Sequence, residues 1–189
     1  MNKYINFLES HLGEIEYGWS KDEGNNKLPF QVVKFKNGPF SGTVTYSTLG
    51  LSNEKLLSPI SNKEIHQELI IVADSTFGVR NIPGILQQVG LQALDKKEAY
   101  LRGDVIGPFG KIFNFTNLEA LYVSIPVYFP DSFQIFHESK QQPIIQTWLV
   151  PITSKEAWFV RENGWEEFED ILEEIDPDLV DFQRKSIIK

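Results

Sequence analysis

The chain has 189 residues, 41% of them hydrophobic, with 14 Phe and 4 Trp, which supplies the core of one domain spanning 1–189 and argues against disorder. A net charge of −8 argues against nucleic acid as a partner, because phosphate binding needs a basic surface. Without cysteine, disulfides, thiolate metal sites and cysteine nucleophiles are excluded together.

From the N-terminus, Tyr4, Leu8, Leu12 and Ile15 recur at helical spacing and predict a helix over 1–15, capped by Asn2. Residues 18–28 are rich in Gly, Asn and Lys and read as a loop. Two β-branched and aromatic runs follow, 30–36 and 43–48. The Asn-Gly, Pro and Gly between them mark a hairpin. Residues 49–63 read as a long polar connection. The run Leu69-Ile-Ile-Val72 reads as a strand buried on both faces. Asn81 and Pro83 open a helix over 81–96, in which Gly90 allows close packing on a sheet.

Later strands are expected at 101–106, 120–129, 133–137 and 144–152. The third-to-last of these alternates apolar and polar residues, as a half-buried antiparallel strand does, and Pro126 places it near an edge. Thr153-Ser-Lys-Glu156 has the form of a capping box, Gly164 ends the helix it opens, and a second helix runs over 165–175 until Asp176-Pro177 stops it. The order of elements predicts an α+β fold, a mostly antiparallel sheet with helices packed on it.

The start of the chain lacks a basic stretch leading into an apolar run, and no apolar segment reaches the ~20 residues that span a bilayer. A cytoplasmic protein without membrane contact is therefore expected. No P-loop ending and no Gly-x-Ser-x-Gly elbow occurs. His11, His66 and His137 do not meet metal-ligand spacing and read as structural, so no metal and no cofactor is expected. Glu68, Asp74 and Asp104 lie in or beside strands. A carboxylate pair such as Glu68 and Asp104 is the one acid–base alternative the residues offer. The preferred reading is that there are no catalytic residues.

Charge is unevenly distributed. Residues 155–181 hold eleven acidic residues against Lys155 and Arg161, a net of −9, while the rest of the chain carries +1. On the last helix Glu166, Glu167, Glu169, Asp170, Glu173 and Glu174 share a face without an interleaved lysine. Like charges at i+3 and i+4 repel by a few tenths of a kcal/mol per pair, so the face brings no stability of its own. A cationic partner would relieve that repulsion and be steered toward it. These six carboxylates, with Trp158 as an aromatic anchor, form the expected partner-binding surface.

An ordered set of short segments resembles the Suppressor of fused (SUFU) domain family: Thr48-Leu-Gly-Leu-Ser52, Gln67-Glu-Leu69, Leu101-Arg-Gly-Asp104, Trp148 through Glu156, Asn163-Gly-Trp165 and Arg184-Lys-Ser186. The resemblance implies a non-catalytic binding domain. In its bacterial branch, similar to the YqcF-type antitoxins that accompany LXG toxins, it implies an immunity protein that masks a cognate toxin domain, expected here to be a nuclease with a basic surface. An alternative is a regulatory module for another intracellular partner.

Overall fold

The computed structural model describes residues 3–138 and 142–189. Helix α1 (Lys3–Leu12) leads into strands β1 (Ile15–Lys21), β2 (Lys27–Phe35), β3 (Thr43–Leu49), β4 (Leu56–Leu57) and β5 (Glu64–Asp74). Helix α2 (Ile82–Lys96), β6 (Val105–Ile106), β7 (Leu118–Ser124), the single turn α3 (Asp131–Gln134), β8 (Ile135–Phe136) and β9 (Ile144–Thr153) follow. Helices α4 (Ser154–Asn163) and α5 (Trp165–Ile175) lead into the C-terminal tail.

The strands form one sheet in the order β1-β2-β3-β5-β9-β7-β6, with β4 and β8 alongside β5 and β9. Every pairing between them is antiparallel except β5 with β9. The expected α+β class is what is found.

Strand alternation divides the core into two layers. Ile70 and Val72 of β5, Tyr122 of β7 and Trp148, Val150 and Ile152 of β9 point to one face, under α1, α4 and α5. Leu69, Ile71 and Ala73, with Leu121, Val123 and Leu149, point to the other, under α2. Strand β5 is thus covered on both sides, as its continuous apolar run requires. The tail stitches the layers together, with Val180 in the first and Phe182 in the second.

Several sequence expectations are corrected. The first helix stops at Leu12, and the supposed loop over 18–28 contains most of β1 and the start of β2. Strand β1 is an exposed edge whose pairing with β2 shifts register twice, so it lacks the apolar alternation that reveals a strand. The segment 120–129 is strand only to Ser124. Strand β7 is buried on both faces, and Pro126 lies in the turn beyond it rather than in a ladder. Residues 133–137 are mostly the end of α3 and two residues of β8, and 101–106 is a turn with a two-residue strand. Asn81 stands before α2 but makes no side-chain cap, while the expected Asn2 cap lies outside the described residues. The Thr153–Glu156 capping box is fully formed.

Candidate functional site

Gly164 (φ 94°) separates α4 from α5 and turns the chain. In α5 the apolar stripe divides by depth. Phe168 is fully buried against Tyr122, whereas Trp165 and Leu172 stay half-buried at the helix flank. That flank forms one wall of a groove of about 580 Å³. Glu166, Glu169, Asp170 and Glu173 of α5 line it, with Asp176 just beyond the helix, and its apolar lining comes from Trp165 and Leu172 together with Val127, Tyr128 and Leu179.

Three of the lining residues, Arg102, Trp165 and Glu169, belong to a network with Tyr122. Arg102 donates through both Nε and Nη2 to the Glu169 carboxylate, and the Tyr122 hydroxyl donates to Glu169 Oε1 at 2.7 Å. The Arg102 guanidinium also lies 4.9 Å from the centre of the Trp165 ring. Glu169 raises the Arg102 pKa, and burial together with that carboxylate pushes the Tyr122 phenol well above its ordinary value. Arg102 is the one basic residue among those lining the groove, and its charge is taken by Glu169. Glu166, Asp170, Glu173 and Asp176 are left exposed without an ion pair among the described residues.

The expected surface is therefore brought together in part. Glu166, Glu169, Asp170 and Glu173 line the groove. Glu167 and Glu174 are exposed on α5 but outside it. Trp158 is 55% exposed on α4, with the Arg161 guanidinium 5.2 Å from its ring centre, and does not line the groove either. Asp176 and the apolar lining residues of the groove were not among the expected residues. Val127 and Tyr128 come from a segment distant in sequence and Leu179 from the tail just after α5, and no local pattern marks them.

The acid–base alternative meets a different geometry. Glu68 is completely buried and accepts four hydrogen bonds: from the Thr48 hydroxyl (2.6 Å), the Gly50 N–H (2.8 Å), the Ser52 N–H (3.0 Å) and the Ser52 hydroxyl (2.7 Å). Burial raises its pKa, and those donors pull it back. Asp104 lines a separate cavity of about 260 Å³ with Lys96 and Tyr100, to which Glu68 does not contribute. Burial raises the Asp104 pKa against the pull of the Leu101 N–H, and burial next to Asp104 pushes the Tyr100 phenol up to about 12. The two carboxylates do not share a cavity, so they do not form an acid–base pair.

His66 is tied to the Ser52 carbonyl and Glu64, and His11 to the Phe7 carbonyl and Ser132. Asp74 caps a short turn by accepting from Thr76. Among the described residues no group of three or more His, Asp or Glu is placed to hold a metal, and no helix is long and apolar enough to cross a membrane.

The segments that carry the family likeness prove to be partners of one another. Thr48–Ser52 wraps Glu68. The Gln67 amide exchanges hydrogen bonds with the backbone of Tyr100, just before the Leu101–Asp104 turn. Gly103 (φ 94°) lies against the Trp165 ring, which leaves no room for a Cβ. Arg184 pairs with Glu156, both almost fully buried. These residues hold the fold together rather than line the groove, Arg102 and Trp165 apart.

A family model described as Suppressor of fused protein (SUFU) matches residues 26–185. No curated protein sequence matches the chain. Among solved structures the chain is similar to a SUFU homolog from Neisseria gonorrhoeae FA 1090, with a TM-score of 0.74 and 18% identity over 98% of this chain and 93% of that one. It is also similar to a Sufu–Fu complex, with a TM-score of 0.69 and 13% identity over 98% and 91%. Drosophila Suppressor of Fused aligns with a TM-score of 0.59 and 12% identity over 84% of this chain, which spans 43% of that protein's chain. At these identities the likeness is one of fold.

Proposed function

The chain belongs to the Suppressor of fused family, and from that premise we propose that it works by binding another protein, without turnover, through the groove beside α5. The partner is a toxin domain of the LXG type with a basic, nuclease-like surface, and the chain is its immunity protein. One observation carries the reading. Four exposed carboxylates, Glu166, Asp170, Glu173 and Asp176, line an apolar-walled groove whose lone cation is already engaged. Aligned carboxylates repel one another, and a cationic surface removes that repulsion while desolvating the apolar wall. A nuclease must be basic where it meets phosphate, so covering that patch blocks it stoichiometrically.

The test replaces Glu166, Asp170 and Glu173 together by Lys and measures affinity for the proposed toxin partner, an LXG-type toxin domain, across a salt series. A loss of roughly a hundredfold or more at low salt is expected, at more than one close charge pair per decade. Unchanged affinity with an intact circular dichroism spectrum removes the groove from the account. A regulatory module for another cellular protein is the second reading, supported by the fold shared with a structure of Sufu bound to Fu. The identity of the protein captured by the chain separates the two.

A further inference from the structure

The groove beside α5 has neighbours along the C-terminal tail. Tyr128, Asp176 and Pro177 line it and also line a second depression, which holds Phe40. Asp74, Asp178 and Val180 line that depression and also a third, which holds Phe77, Arg80 and Phe115. A residue that lines two depressions lies between them, so the three adjoin in the order groove, Phe40, Arg80. Phe40 is 49% exposed and Phe115 79% exposed. Aromatic and arginine side chains are the anchors that protein interfaces favour.

Arg80 gives the far part of this surface a different sign. It is exposed, and its guanidinium carbon lies 5.1 Å from the centre of the Phe77 ring and 5.7 Å from that of Phe115. Its Nε donates to the Phe77 carbonyl at 2.9 Å. Its two terminal nitrogens have no hydrogen-bond or ion-pair partner among the described residues. The acids that share its depression are engaged with the backbone instead: Asp74 accepts from the Thr76 N–H, Asp178 from the Val180 N–H and Asp181 from the Gln183 N–H. The Arg80 backbone has a φ of 40°, on the positive side that residues other than glycine adopt only at a cost, and such strain collects where function holds it in place. Two rings and a carbonyl thus hold the guanidinium before any partner arrives, which reduces the freedom lost on binding. Its open end is a fork of two donors, and that fork matches the two oxygens of a carboxylate.

We propose that Arg80, stacked on Phe77 and Phe115, is a second contact point of the partner-binding surface and takes a carboxylate of the same partner protein. This rests on the reading of the α5 groove as the first contact. It adds that the partner carries an acidic side chain beside its basic patch, on the side that meets the tail. Carboxylates at α5 and a guanidinium beyond the tail fix which way round the partner docks, because the reversed orientation sets like charges against each other.

The sign of one substitution tests it. Arg80→Gln makes the chain more negative by one charge. If Arg80 only adds to the overall field, a basic partner then associates faster and binds as tightly or more tightly. If Arg80 holds a carboxylate, the complex dissociates faster, because a close pair is lost. Surface plasmon resonance at low salt, with the full chain and the proposed toxin domain, is expected to show about a tenfold loss of affinity in Arg80→Gln, carried by dissociation. Arg80→Lys keeps the charge but not the fork and recovers part of that loss. Phe115→Ala removes one of the two rings and loses about threefold. Both side chains are exposed, and an unchanged melting temperature shows that the variants are folded. Equal or tighter binding of Arg80→Gln, while the variant with Lys at 166, 170 and 173 is still weakened, removes the second contact and leaves the groove as the site. If the toxin domain does not bind the unaltered chain, or no variant weakens it, the reading of the groove falls as well.

Discussion

Glu156 and Arg184 show how a charge counted on the sequence can vanish from the surface. The Glu156 carboxylate is fully buried, with Arg184 Nη1 at 2.7 Å and the Ile187 N–H at 3.0 Å on one oxygen, and the Thr153 N–H at 2.8 Å on the other. One residue therefore completes a helix cap and anchors the C-terminal tail. Replacing Arg184 by Met strips the cation from a buried anion and is expected to cost about 3–5 kcal/mol. The loss would be read as a lower urea midpoint, with part of it recovered in Arg184→Met/Glu156→Gln. A loss under about 1 kcal/mol, the scale of an exposed pair, would show that the tail is not held by this contact. Glu169 is neutralised in a similar way by Arg102. Of the eleven acidic residues in the C-terminal block, the ones that shape the groove are fewer than the sequence count suggests, and they stand closer together.

At the scale of elements, a helix glycine is usually a weakness, and Gly90 in the middle of α2 is an exception. The Phe30 ring from β2 packs onto it, and a Cβ there would overlap that ring. Gly90→Ala gains about 1 kcal/mol of helix propensity but overpacks a core contact at a cost of about 1–3 kcal/mol. A lower melting temperature is expected, with recovery in Gly90→Ala/Phe30→Leu. A higher melting temperature in the single variant would mean that α2 sits further from the sheet than described. Helix α2 and strand β5 were legible in sequence because burial wrote a clear period or an unbroken apolar run into them. Strand β1 was not, because an exposed edge that shifts register leaves no such record. The 120–129 segment misled for the opposite reason: its apolar alternation continues through Ile125 and Val127, past the last ladder pair at Ser124. The acidic wall of the groove was legible as a helix face. Its apolar lining was not, because only the tertiary fold brings Val127 and Tyr128 to the groove that α5 lines.

For the molecule as a whole, the sheet separates a layer carrying α2 from a layer carrying α1, α4 and α5, and the acidic groove belongs to the second. Its potential is set by four open carboxylates and by Arg102, the single cation among the groove-lining residues. Arg102 is 44% exposed at its side chain, so its pair with Glu169 contributes little to stability, about 0–1 kcal/mol. Its effect on binding is larger in proportion, because it cancels one of the negative charges that draw a cationic partner in. Arg102→Gln therefore leaves the melting temperature nearly unchanged, while Tyr122 still holds Glu169 in place. Association with a basic partner becomes faster, by severalfold at low salt, since steering follows the summed field. At about 1 M salt the screening length falls to about 3 Å and the gain disappears. Stopped-flow association rates across a salt series would show two lines that diverge at low salt and meet at high salt. Parallel lines would mean that Arg102 touches the partner directly, and slower association in the variant at every salt concentration would overturn the electrostatic account of the groove.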